Sequence, residues 1–273
     1  MNYRHAYHAG NFADIMKHLA LTMVLDHLKK KETGFCAIDA HGGIGLYDLL
    51  GEQAQKTGEW EAGIGRFETL KTVPEDFAPY FDFVRPYLQQ KRYPGSPVII
   101  AHALRDQDRL IANELHPDDL ATLQSTLKGF GNVRITHLDA YECVRAQIPP
   151  KEKRGVILID PPFEKTDEFQ TLIRQISEWK KRFAQGIYMI WYPVKAHLAV
   201  DALKQAAVDL NLPRTWCYET LLHPARQPET FNGSGLIMFN APYQVPERLE
   251  GLLPFLTQHL KLHETTHQWL TPA

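Results

Sequence analysis

Two hydrophobic periods alternate along the chain. Between residues 11 and 30 apolar side chains recur at helical spacing, through Phe12, Ile15, Met16, Leu19 and Met23, which predicts an opening α-helix. Asn11 supplies an N-cap, Lys29, Lys30 and Lys31 suit the carbonyl end, and Gly34 stops it. Strand-length runs follow at 34–39, 110–115, 132–139, 156–160 and 187–193. Helical periods separate most of them. One covers 98–106, opened by Ser96 as N-cap and Pro97 in the first turn, and another runs from His116 and Pro117 to Gly129. A third carries Phe169, Leu172, Ile173, Ile176, Trp179 and Phe183 on one face, and a fourth spans 195–210. Two last strands, 214–221 and 235–240, are joined without a helix, and a helix over 245–262 closes the chain. This alternation predicts an α/β protein with a seven-stranded, mostly parallel, doubly wound sheet, helices on both faces and an antiparallel final strand. Residues 51–92 break the rhythm with helical patches at 60–70 and 77–88. They read as a small helical insertion in a domain formed by 1–50 and 93–273.

The most informative stretch is Gly155-Val-Ile-Leu-Ile-Asp160-Pro161-Pro162-Phe163. A buried-type strand runs into a carboxylate, and two prolines then hold the strand end in one stiff conformation. In an open α/β sheet ligands sit outside the carboxyl ends of the strands. The prolines offer carbonyls but no N–H, so with Asp160 they form an accepting pocket complementary to the exocyclic amine of a nucleobase. Phe163 can stack on such a base. The run resembles the Asp/Asn-Pro-Pro-aromatic signature of methyltransferases that act on exocyclic amines. The loop Asp39-Ala-His41-Gly42-Gly43-Ile-Gly45 follows another apolar strand, and its glycines permit close backbone approach. Asp48 stands where a dinucleotide fingerprint requires a third glycine. Four acids, Asp39, Glu114, Asp139 and Asp160, end successive predicted strands. Carboxylates would repel a pyrophosphate, but they suit S-adenosylmethionine, whose sulfonium is cationic and whose ribose donates hydroxyls. Glu114 falls where a ribose-binding acid is expected, and Asp139 can accept from the cofactor's adenine amine. The pieces compose methyl transfer to an adenine N6 held by Asp160 and a proline carbonyl, with no metal needed.

Composition limits the alternatives. The chain has 273 residues, 44% of them hydrophobic, and a net charge of −2, so it is no general basic nucleic-acid binder. Lys91 and Arg92 form a local basic group at the end of the insertion, placed to grip RNA phosphates. Cys36, Cys143 and Cys217 are scattered and odd in number, which points to reduced thiols and a cytoplasmic setting. No run approaches membrane-spanning length. His5, His8 and His18 lack the cysteine or acid that would complete a tetrahedral metal set.

Nearly end to end, the chain resembles the RlmJ-type adenine-N6 methyltransferases of bacterial 23S ribosomal RNA. The resemblance is carried by Tyr3-Arg4-His5, His8-Ala9-Gly10-Asn11, Lys17-His18, Asp39-x-His41, Tyr93-Pro-Gly-Ser96-Pro97, Glu114-Leu-His-Pro117, Asp160-Pro-Pro162 and Trp191-Tyr-Pro193. It implies a Rossmann-like fold and S-adenosylmethionine contacts from His18, His41, Ser96, Glu114, Asp139, Ala140 and Asp160. It further implies Asp160 as catalytic acceptor, with Tyr3, Lys17, Pro161 and Phe163 toward the substrate. Residues 1–12 would face that substrate, with Tyr3, Arg4 and Lys17 as a polar lip over the cleft. Phe163 stands where the family commonly has Tyr, and Ala140 where it has Gly. A cytoplasmic monomer acting on 23S rRNA is the leading expectation. A DNA adenine-N6 methyltransferase and a non-catalytic nucleic-acid-binding protein used with external DNA are the alternatives.

Overall fold

The computed structural model describes residues 4–164, 167–194, 197–224 and 232–272. In chain order the first half comprises α1 (Phe12–Lys29), β1 (Cys36–Asp39), β2 (Leu46–Asp48), α2 (Glu52–Thr57), α3 (Glu59–Ala62), α4 (Ala78–Gln89), β3 (Arg92–Pro94), α5 (Ser96–Ala103), β4 (Arg109–Asn113), α6 (Pro117–Thr126) and β5 (Val133–Thr136). The second half comprises α7 (Ala140–Gln147), β6 (Gly155–Ile159), α8 (Glu168–Arg182), β7 (Ile187–Val194), α9 (His197–Asp209), β8 (Trp216–Leu221), β9 (Gly233–Phe239), α10 (Val245–Leu260) and β10 (Glu264–Trp269).

The main sheet has the order β10-β8-β9-β7-β6-β1-β4-β5. The five strands from β5 to β7 are parallel, and β9 lies antiparallel between β7 and β8. After β1 the chain moves outward to β4 and β5, then returns to place β6 on the other side of β1. The strand order therefore reverses at β1, and a crevice opens there at the carboxyl edge. All five residues of β6 are buried. Val156 and Leu158 join the apolar layer beneath α1, α5 and α10, while Ile157 and Ile159 join the layer beneath α7 and α8. An uninterrupted apolar run is what a strand covered on both faces requires. At the start of β6, a Cβ on Gly155 would stand 1.9 Å from the Cys36 carbonyl oxygen, so only glycine fits against β1.

The sheet has eight strands, one more than the seven predicted, because the chain closes with β10 after α10 rather than on the helix. β10 is an edge strand paired antiparallel to β8, and most of its residues are exposed. An edge strand of this kind carries little hydrophobic signal. A separate ribbon pairs β2 with β3 and brings together the two ends of 51–92. The helices between them share one apolar cluster with α1 and α10, and Phe67, Phe77, Phe81 and Phe255 meet at ring separations of 5.1 to 6.3 Å. Gly95 is the N-cap of α5, and Ser96 is its first helical residue rather than the cap.

Candidate active site

Two adjoining cavities occupy the crevice. The first, of about 330 Å³, is lined by the β1 loop, the start of α5, the residues after β4, the start of α7 and the Asp160-Pro161-Pro162 run. The second, of about 400 Å³, lies between the N-terminal segment, α1, Glu59, Phe163 and the Trp191–Pro193 stretch of β7. His5, Lys17, Asp160, Pro162 and Glu164 line both, so Asp160 and Lys17 stand at the common wall.

Helix α1 builds that wall. Asn11 caps it by accepting from the Asp14 amide at 3.0 Å. Asp14, Lys17 and His18 fall at i, i+3 and i+4, hence on one face, and all three are buried. Lys17 Nζ lies 3.0 Å from Asp14 Oδ1 and pairs with Asp160 Oδ2. Burial alone would lower its pKa, but the two carboxylates override this and hold the ammonium above its ordinary range. Burial likewise opposes ionisation of Asp14, yet His5 and Lys17 hold its carboxyl well below the usual range. Burial pushes His18 down to about 3, against the pull of Asp14, so its ring is neutral. His18 Nδ1 shares a hydrogen bond with Tyr93 Oη at 2.8 Å, and Tyr93 Oη meets Tyr80 Oη at 3.0 Å. Lys17 is thus part of the floor between the cavities, not of a lip over the cleft. Its distance from solvent follows from its place in the first half of α1, where residues 12–21 are all buried. Arg4 instead reaches α6, pairing with Asp118 at 3.1 Å and with Asp119. Tyr3 lies outside the described residues.

The first cavity is acidic, with neutral imidazoles at His18 and His41. Glu114 accepts from the Gly43 amide at 2.8 Å and the His116 amide at 2.7 Å. Burial raises its pKa and those amides oppose the rise. Gly43 has φ +59°, and a Cβ there would lie 2.2 Å from Tyr47 Oη. A side chain at 43 would therefore disturb the loop that reaches Glu114. Asp139 lies past the end of β5 and caps α7, accepting from the Tyr141 and Glu142 amides at 2.9 and 3.2 Å through one oxygen. Ala140 follows it on the cavity wall. The Asp160 amide donates to His41 Nδ1 at 3.2 Å, which leaves the His41 proton on Nε2. Burial holds His41 down to about 4. Ser96 also lines this cavity, beside buried Asp39. Asn113 ties three loops together. It donates to the Ala40 and Leu138 carbonyls at 3.2 and 2.9 Å, and accepts from Thr136 Oγ1 and the Leu138 amide at 2.8 and 3.1 Å.

The second cavity has an aromatic wall. Phe163 adopts φ +49°, which turns the chain sharply after the two prolines. Its ring packs 4.7 Å from Phe169 and edge-on to Trp191 at 5.9 Å. Glu59, the insertion's contribution, accepts from His8 Nδ1 and Asn11 Nδ2, each at 2.9 Å. Lys91 is taken up by Glu68 at 2.5 Å and by the face of Trp60, away from both cavities.

His18, His41, Ser96, Glu114, Asp139, Ala140, Asp160, Pro161 and Lys17 line the first cavity, and Phe163 lines the second. Sequence reasoning missed Asp14, Tyr141, Glu59 and Trp191 as cavity residues. The helical spacing of Asp14 to Lys17 could have found the first. Glu59 gives no local signal, because the insertion's return to the crevice is a tertiary event.

A doubly wound sheet with an Asp-Pro-Pro-Phe run between two cavities at its switch point defines a Rossmann-like methyltransferase. The sequence model of one family, described as ribosomal RNA large subunit methyltransferase D, RlmJ, matches residues 32–271. Ribosomal RNA large subunit methyltransferase J of Haemophilus influenzae is 36% identical over all of this chain and 99% of that protein. The Escherichia coli K12 protein of the same name is 34% identical over the same shares. A crystal structure of a Legionella pneumophila protein superposes with a TM-score of 0.86 at 29% identity, covering 96% of this chain and 97% of that one. The chain belongs to the RlmJ family of ribosomal RNA methyltransferases.

Proposed function

We propose that the chain transfers the methyl group of S-adenosylmethionine to the exocyclic N6 of an adenine in 23S ribosomal RNA. The observation that carries this reading is the position of Asp160, whose side chain is only 17% exposed and lines both cavities. The first cavity fits the cofactor chemically. Its acids suit a cationic sulfonium and a ribose diol. Glu114 is assigned the ribose hydroxyls, Asp139 and Ala140 the adenine, and His18, His41 and Ser96 the methionine end. When bound, the cofactor supplies an electrophilic methyl group.

The chain's own residues supply position and proton transfer. Phe163 stacks on the target base, which must leave its RNA stack to enter, and Trp191 borders the same cavity. Asp160 and the Pro161 carbonyl accept from the N6 hydrogens and favour a pyramidal nitrogen whose lone pair faces the first cavity. Asp160 then takes the proton released from N6. Tyr3 and the segment that precedes buried residues 9–12 face the RNA in this reading, and 51–92 forms an insertion in the domain made by 1–50 and 93–273. The protein acts as a cytoplasmic monomer.

The test compares N6-methyladenosine in 23S rRNA, and its deoxy form in DNA, between a deletion strain and its parent. Loss of one modified adenosine from 23S rRNA, restored by the wild-type chain but not by Asp160→Asn, is expected. Loss from DNA alone, or unchanged methylation of both, would overturn the proposal.

A further inference from the structure

One ammonium faces two carboxylates at the wall between the cavities. Lys17 pairs with Asp160 and lies 3.0 Å from Asp14 Oδ1. The other Asp14 oxygen accepts from the Gly10 amide and from His5 Nε2, both at 2.9 Å. His18 Nε2 is 3.9 Å from Asp14 Oδ1. Asp14 is almost wholly buried. Its bond to Gly10 helps to start α1, but an asparagine could accept that bond equally well. Only a carboxylate can balance the Lys17 charge.

We propose that Asp14 is a positioning residue that holds Lys17 while Asp160 exchanges this cation for the target amine. The inference rests on the reading that Asp160 accepts from an adenine N6. As the amine arrives, it and Lys17 compete for the same carboxylate. With Asp14 present, the ammonium keeps a full counter-charge when it gives up Asp160. Without it, Lys17 would be a buried cation paired, among the described residues, with Asp160 alone, and the amine could displace it only by breaking that last ion pair. The chemical step makes the same demand. The N6–carbon bond forms as the sulfur–carbon bond breaks, the bonding pair leaves with sulfur, and an N6 proton passes to Asp160. Asp160 is then neutral, and Asp14 remains as the carboxylate that balances Lys17.

A double-mutant cycle on the full-length protein separates this role from mere packing. Single-turnover methylation of a 23S rRNA transcript is measured for wild type, Asp14→Asn, Lys17→Met and the double variant, with S-adenosylhomocysteine affinity measured on each. In the Lys17 background, Asp14→Asn should slow methyl transfer by about a hundredfold, the cost of a catalytic group misplaced by an ångström, with cofactor affinity kept. In the Lys17→Met background it should cost nothing beyond about twofold, the error of additivity. Equal losses in both backgrounds overturn the inference, as does an Asp14→Asn rate within about twofold of wild type. Both outcomes leave the proposed methylation standing, whereas a wild-type chain that methylates no RNA overturns both. Should Asp14→Asn fail to fold, the wild-type protein crystallised with S-adenosylhomocysteine and adenosine decides. Lys17 should then contact Asp14 and not Asp160, and an unbroken Lys17–Asp160 pair beside a bound adenine refutes the exchange.

Discussion

Asp39 is a costly carboxylate to bury, and its cost can be read out by pH. It ends β1 with no exposed surface. Oδ1 accepts a long bond from the His41 amide at 3.4 Å, and Oδ2 is buried without a hydrogen-bond partner among the described residues. Burial pushes its carboxyl from 3.8 up to about 6, against the Ser96 hydroxyl, Lys17 and the His41 amide. In the unfolded chain the proton leaves near 3.8; in the folded chain it stays until about 6. Between those values the unfolded state binds fewer protons, so stability falls as pH rises through the window. At 1.36 kcal/mol per pH unit the loss is about 3 kcal/mol, complete above the folded value. Asp39→Asn keeps the shape and removes the titration. Its new amide needs partners, but that cost is independent of pH. Urea unfolding followed by circular dichroism should give a variant-minus-wild-type stability that climbs by about 3 kcal/mol across the window and is flat at higher pH. The subtraction cancels carboxylates such as Asp14, whose lowered pKa makes stability fall in the opposite direction, as pH drops. A difference that stays constant across this range would refute the desolvation argument.

Substitutions at three positions probe the rest of the crevice. Asp160→Asn should lower single-turnover methylation at saturating S-adenosylmethionine by about 10²–10⁴-fold, the usual worth of a positioned base, and a rate matching wild type would remove Asp160 from that role. Phe163→Ala should weaken target binding by about 1–3 kcal/mol, seen as a higher KM for the RNA, while Phe163→Tyr keeps it; an unchanged KM for the alanine variant would remove Phe163 from the base-stacking role. Asn113→Ala deletes four hydrogen bonds among the β1, β4 and β5 loops and leaves buried partners unmet. It should cost about 2–3 kcal/mol in denaturant unfolding and also weaken cofactor binding, and a melting curve matching wild type would contradict this.

How much could be read from the chain follows from where each signal sits. β6 and its acid were legible because a strand covered on both faces must be apolar throughout, and because two prolines end it abruptly. Glu114 and Asp139 could be found from their place after strand-like runs, although the strands stop at Asn113 and Thr136 and the acids lie in the loops beyond. β10 was not legible, since a half-solvated edge needs no apolar run and its order comes from pairing with β8. Lys17 was misplaced on the rim because its charge suggested solvent. Burial of α1 among the sheet, α4, α5 and α10 overrides that expectation and turns Asp14, Lys17 and His18 into a buried polar stripe.

That stripe explains how two cavities share one wall. A doubly wound sheet generates a crevice by topology alone, and the loops after β1, β4 and β5 line it locally; this is the first cavity. The second requires elements from outside the alternating core. The N-terminal segment and Glu59 from the insertion, joined through His8 and Asn11, meet the far end of β7 beside the first turns of α1. Asp160 faces both sides because its prolines stop β6 at the switch point, one residue beyond the sheet. The charge between the cavities is then fixed by α1, whose Asp14 and Lys17 lie one helical turn apart. The helix thus does more than cover a sheet face, since it sets both the partition of the crevice and the electrostatics of the carboxylate between its halves.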